Sequence, residues 1–201
     1  MPEIIHINDK VSIAGGVEVY ISQLQPLLHD AGWESSWAGV SKEGPLITIK
    51  SDNELLNWQG SLDSLPESPM AILANKGDCL FHVHSLSEPK ILQQLFKLAP
   101  VVRTMHEPRL FCPGQGKYLA RNECVCEKPF GLHCVAHAYT EKCCNRHPSR
   151  LFRASQNVRY ELKQASHGYD RILANSRYIR DEAILAGVPK EKIALLHYFT
   201  P

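Results

Sequence analysis

The sequence carries almost no charge imbalance: 22 Lys and Arg stand against 21 Asp and Glu, a net charge of +1 over 201 residues. No global field gathers DNA, RNA or an acidic membrane, so partners have to be sought in local sites. No apolar run approaches the ~20 residues of a membrane-spanning helix. The start, MPEIIHIND, has Glu3 where a secretory signal needs positive charge. The expectation is a cytoplasmic protein. The chain has no G-x-G-x-x-G fingerprint, which disfavours a nicotinamide or flavin oxidoreductase, and its glycine turn lacks the lysine of a P-loop. It has no internal repeat and no low-complexity tract. Disorder is excluded too, because 44% of the residues are apolar and the length supports one domain, 1–201, with a real core.

What is present is an alternation of short apolar runs and segments of helical period. EIIHI at 3–7 reads as a buried strand, followed by the turn NDKVSIAGG and a helix in which Val17, Ile21, Leu24, Leu28 and Ala31 share one face. Pro26 inside that helix predicts a kink or an early end. Residues 51–68 have turn chemistry without a period and read as irregular, with at most one short helix. GDCLFHVHS gives a strand over 79–84, and SEPKILQQLFKLAP a helix with Ser87 as N-cap and Pro100 as stop. VVRTM is the next strand. Leu151, Ala154, Val158, Leu162 and Ala165 mark a long helix, RILAN a strand, and Ser176 the start of a helix that stops at Gly187, with KIALLHYF as the last strand. Such βαβα alternation with continuous apolar strands predicts an α/β, Rossmann-like fold: a mainly parallel sheet with helices on both faces.

In an open parallel sheet, ligands collect at the carboxyl ends of the strands. Gly15 and Gly16 there open a helix whose free N–H groups suit a phosphate, although a tight turn needing positive φ explains a glycine pair as well. His82 and His84 lie two apart, hence on one side of a strand, as a possible metal pair; a hydrogen-bonded structural role is the commoner outcome, and His82 is read that way. His106 ends a strand and is followed by Glu107 and Arg109, so three polar groups meet the expected ligand edge. Arg146, Arg150, Arg153, Arg159 and Lys163 make the long helix cationic, first of all as a solvated face.

Six of the seven cysteines fall in residues 112–144, spaced C-x11-C-x-C-x7-C-x8-C-C, with no C-x2-C knuckle. In a reducing compartment such a set binds metal or remains as free thiols more readily than it forms a disulfide framework.

Taken in order, INDKVSIAGGVEVYI, DCLFHVHS, PVVRTMHE and ANSRYIRDEAILAGVPKEKIALLHY resemble the N-terminal domain of the retaining glycosyltransferases of family 4, which have the GT-B architecture. The likeness spans essentially the whole chain. It implies the N-terminal, acceptor-side half of a GT-B fold, with a cysteine-rich insertion at 107–148 and a donor-binding C-terminal domain outside this chain. The implied reaction moves a sugar from a nucleotide-sugar donor to a carbohydrate or lipid-linked acceptor, and the chain alone would be inactive. The resemblance places Gly15 and Gly16 opposite the donor diphosphate and His106 beside the transferred sugar, as a positioning rather than a general-base residue. It puts His84, Glu107 and Arg109 at the acceptor cleft and makes Ser176 the cap of a helix lining it. It also selects Cys112, Cys126, Cys134 and Cys143 as ligands of a structural zinc, or of an iron–sulfur cluster, leaving Cys124 and Cys144 as extras. Attraction of the basic helix to an anionic acceptor implies peripheral contact with the inner face of the membrane. The competing function is a zinc-organised binding module on an α/β scaffold.

Overall fold

The computed structural model describes residues 2–40, 46–50, 55–59 and 78–199, which form two compact units: residues 1–104 with 198–201, and residues 105–197. The first unit runs β1 (Glu3–Asn8), α1 (Gly16–Asp30), β2 (Glu34–Val40), β3 (Leu46–Lys50), β4 (Leu55–Gln59), β5 (Cys79–Val83), α2 (Pro89–Leu98) and most of β6 (Val101–Met105). Its strands lie in the order β6-β5-β1-β2-β3-β4. β6, β5, β1 and β2 pair in parallel, whereas β3 and β4 add antiparallel neighbours beyond β2. The order reverses at β1: the chain goes from β1 outward to β2, then returns to the other side of β1 as β5. Ile4 through Asn8 are all buried, so both faces of β1 are covered, as the continuous apolar run requires.

The first helix forms where its period places it, but of the expected face only Ile21 is fully buried: it packs with Tyr20, which that face did not include, against Trp37 of β2, with Val17 and Leu24 partly buried beside them and Ala31 an exposed C-cap. Pro26 does not end it. The helix runs on to Asp30, at the cost of the hydrogen bond that residue 26 would have donated to the carbonyl of Ser22. The rings of Tyr198 and Phe199 return onto Tyr20, 5.3 and 5.5 Å between centroids.

Three expectations need correction. Within 51–68, residues 55–59 are strand β4 and not irregular; its ladder to β3 supplies the order that the local sequence does not signal, and the rest of that stretch lies outside the described residues. The cap of α2 is Glu88 rather than Ser87, because Pro89, with its preset φ, takes the first helical position. Ile91, Leu92 and Leu95 are buried as predicted. The last strand is shorter than KIALLHYF: only Ile193–Leu195 pair.

The second unit contains a short 3-10 turn (Pro108–Leu110), a two-residue hairpin of β7 (Tyr118–Leu119) and β8 (Cys124–Val125), α3 (His133–Thr140), α4 (Pro148–His167), β9 (Arg171–Ala174), α5 (Arg177–Leu185) and β10 (Ile193–Leu195). β9 and β10 are parallel. Along α4, Leu151, Val158, Ala165 and the charged Glu161 are buried, while Arg150, Arg153, Arg159 and Lys163 are exposed, as is Arg146 just before the helix. Parallel strands alternating with helices make this an α/β, Rossmann-like fold. Among the described residues no helix is long and apolar enough to cross a membrane.

Candidate functional site

The point where strand order reverses, between the carboxyl ends of β1 and β5, is where open α/β sheets hold ligands. Asn8 organises it. Fully buried at the end of β1, its Nδ2 donates to Glu18 Oε1 at 2.8 Å and to the Lys10 carbonyl at 3.3 Å, and its Oδ1 accepts from the Ser85 N–H at 3.2 Å. One side chain thus ties together the end of β1, the first turn of α1 and the residues after β5.

The two glycines of the turn differ in what they do. Gly15 is the N-cap of α1 with φ −167°, extended backbone open to any residue, so the positive-φ explanation does not hold for it. A Cβ there would stand 3.1 Å from Glu18 Oε2. Gly16 is the first residue of the helix, and a Cβ there would meet nothing within 4 Å. Neither conformation nor packing therefore asks for glycine at 16, which leaves the helix N-terminus open to close approach from outside. Glu18 already sets a carboxylate against the positive end of α1, which it stabilises.

Beneath the turn lies a cluster that the sequence does not announce. His6 of β1 and His82 of β5 are register partners, and His84 follows two residues on, so the three rings share one face. His6 Nδ1 and His84 Nε2 are 3.0 Å apart, and His82 Nε2 lies 2.6 Å from Thr104 Oγ1. The second contact gives His82 the hydrogen-bonded structural place expected for it. All three are buried, and His84, expected at the cleft, is only 1% exposed, with Tyr20 edge-on to its ring. Burial lowers the His6 imidazole to about 4. Among the described residues, this is the group that brings one ligand atom from each of three side chains within 4.8 Å of one another.

In the second unit, His106 follows β6 half-buried, its carbonyl accepting from Asn175 Nδ2 at 3.1 Å. Glu107 and Arg109 pair with each other: Nε and Nη2 of the arginine both stand 2.6 Å from Glu107 Oε1. Ser176 is the N-cap expected of it, its hydroxyl accepting from the Ile179 N–H at 3.2 Å.

The cysteine segment is held by Lys117. This buried side chain pairs with Glu182 of α5 at 2.7 Å and donates to the Lys128 carbonyl at 2.7 Å. Cys112, Cys126, Cys134, Cys143 and Cys144 are half-buried and Cys124 is exposed. Burial, with the neighbouring thiols of Cys144, Cys112 and Cys134 adding to it, pushes the Cys143 thiol up to about 12; burial also raises Cys134, with Cys112 and Cys126 adding. Five thiols therefore share one field, and a bound cation would reverse that rise. His133, absent from the expected set, puts Nε2 3.7 Å from Cys134 Sγ. The backbone here is tight. Gly114 allows an approach to the Cys143 carbonyl that no Cβ could share, and Gln115, Lys117, Glu123 and Lys142 all have φ between 51° and 64°. Left-handed conformations at non-glycine residues cost on the order of 1 kcal/mol or more each and persist only where surroundings enforce them.

No protein-family model and no curated protein matches the sequence. Among solved structures the chain is similar to Alr3699/HepE of Anabaena, solved in complex with UDP, at 14% identity and a TM-score of 0.45. The similarity covers 98% of this chain and 43% of that one, so the chain spans less than half the length of that protein.

Proposed function

We propose that the chain is the acceptor-side domain of a retaining GT-B glycosyltransferase of family 4, which transfers a sugar from a nucleotide-sugar donor to a carbohydrate or lipid-linked acceptor. The observation that carries this is the position of Gly16. It opens a helix at the point of strand reversal, and neither fold nor packing requires it to be glycine. A diphosphate leaving group gains negative charge as the glycosidic bond breaks, and free N–H groups at a helix N-terminus stabilise that charge. Glu18 repels such a group, so the phosphates are received on the Gly16 side of the turn. His106 positions the sugar, Glu107 and Arg109 line the acceptor side, and Ser176 fixes the first turn of α5. Contacts to the base, ribose and donor sugar fall to a second domain.

Cys112, Cys126, Cys134 and Cys143 would hold a structural zinc that fixes the 107–148 segment. Soft thiolates are the donor type that zinc prefers, and since among the described residues no three of the cysteine sulfurs are gathered within 4.8 Å of one another, zinc would have to draw the segment closer. The exposed arginines of α4 favour an anionic acceptor, including one presented at a membrane surface.

A genetic experiment tests the proposal. Deleting the gene from its source organism should remove or truncate one class of glycan in mass-spectrometric profiles, with restoration by the wild-type gene and not by His106→Ala. Unchanged glycans after deletion contradict it.

A further inference from the structure

Sugar transfer as described gives no task to Asn175, yet this residue holds the backbone of His106. It is the first residue after β9, and its Nδ2 donates to the His106 carbonyl at 3.1 Å. Its own carbonyl accepts from His197 Nδ1, just beyond β10, at 3.2 Å. The side-chain contact joins residues 69 positions apart, so no local preference makes it.

Helix capping does not explain the residue, because Ser176 caps α5 through the bond from the Ile179 N–H. Stability explains it poorly as well. An amide whose N–H faces a carbonyl turns its oxygen away, and among the described residues Asn175 Oδ1 is left buried with no hydrogen-bond partner. A buried acceptor in that state opposes folding. Asn8 shows the same device without the cost: it ends β1 and reaches the Ser85 N–H after β5, with its Nδ2 donating to Glu18 and to the Lys10 carbonyl. Asn175 leaves one atom unpaired and holds the His106 carbonyl. That carbonyl belongs to the peptide joining His106 to Glu107, and it lies beyond β6, which ends at Met105. The plane of this peptide sets ψ of His106 and φ of Glu107, which is −149°, and hence the direction of both side chains. Arg109 follows, since its Nε and Nη2 both meet Glu107 Oε1. One amide thus stands behind the three polar groups of this edge.

We propose that Asn175 is a positioning residue for sugar transfer, which fixes the His106–Glu107 peptide so that the His106 imidazole meets the transferred sugar in one orientation. It touches neither sugar nor phosphate. The proposal rests on the reading of His106 given above. Misplacing a group of this kind by about 1 Å costs about a hundredfold in rate, so a single hydrogen bond behind it can matter more to turnover than to the fold.

The test uses Asn175→Leu, which removes the donor and the unpaired acceptor together at similar size, and Asn175→Ala, which removes them without a branched side chain. In the 201-residue chain labelled with 15N and 13C, the wild type should show a coupling across the hydrogen bond from the Asn175 side-chain nitrogen to the His106 carbonyl carbon. Both variants should move the His106 and Glu107 resonances, the imidazole included, while melting within about 3 °C of the wild type. In the full gene product, transfer should fall about tenfold or more in Asn175→Leu. Combined with His106→Ala it should be no slower than His106→Ala alone, because the two residues act through one group. Losses that multiply in the double variant, His106 resonances unmoved in both single variants, or melting lowered by about 10 °C or more in both overturn the proposal, the last by making Asn175 a support of the fold. If the wild type transfers no sugar from any donor, the glycosyltransferase reading fails, and the His106 resonances alone then decide whether Asn175 sets that orientation.

Discussion

Acidifying the metal-free chain probes the histidine cluster through its stability. His6 is fully buried, and burial holds its imidazole at about 4, against an ordinary value of 6.5. Between those values the unfolded chain binds a proton that the folded chain refuses. Stability therefore rises with pH across the window and is lost as pH falls through it; above pH 7 His6 adds no slope. At about 1.4 kcal/mol per unit of pKa difference, the loss is about 2 kcal/mol by pH 5 and about 3 kcal/mol by pH 4. The groups facing His6 are His82 and His84 on β5, Trp37 on β2 and, beyond His84, Tyr20 on α1, while Glu18 is linked to this region through Asn8. Urea unfolding in EDTA at a series of pH values, followed by tryptophan fluorescence, gives the profile for the wild type and for His6→Gln. Carboxylates elsewhere titrate in both proteins, so the difference in slope isolates His6. The wild type should lose about 3 kcal/mol more than the variant between pH 7 and pH 4. Parallel profiles would refute the claim that a neutral, buried imidazole is built into this fold.

Two further outcomes follow from single contacts. Gly16→Ala adds a methyl group where nothing lies within 4 Å, so thermal unfolding should show no loss of stability, yet sugar transfer should fall because the methyl obstructs the phosphates. A fall in both would mean that Gly16 is there for the fold. Lys117→Met strands Glu182 without its cation and should cost about 2 kcal/mol, less than the ~3–5 kcal/mol of a fully buried pair because Glu182 keeps some exposure. Hydrogen exchange should show the loss in residues 112–144 and α5, and unchanged protection there would remove Lys117 as the anchor of the segment.

Much of the fold could be read from local sequence, because local physics decides it. Ser176 caps α5 through a bond three residues away, and Gly187, at φ 98°, follows the last helical turn just where a residue without Cβ belongs. The periods of α2 and α4 likewise carry their buried faces, whereas α1 buries Tyr20 and Glu18 off the face its period marks. One miss is non-local, since β4 exists by pairing with β3; another is local, since Glu88 rather than Ser87 caps α2 because the next residue is proline. In the site, the glycine turn was legible but the roles of its two glycines were not, since only the folded position of Glu18 separates them. His6 was a single histidine in an apolar run. Nothing short of the β1–β5 register, which joins residues 76 positions apart, could set it beside His82. Asn8, Lys117 and His133 escaped notice for the same reason: each is defined by partners brought near by the fold.

Sugar transfer itself is the most direct measurement. Extracts of cells producing the full gene product are incubated with labelled UDP- and GDP-sugars and with membrane and polysaccharide fractions as acceptors, in parallel with extracts carrying His106→Ala at equal abundance and stability. The expected result is label incorporated from one donor by the wild type, reduced about tenfold or more in His106→Ala. No incorporation from any donor, or equal incorporation by the variant, would contradict the assignment of this domain and of His106 to glycosyl transfer.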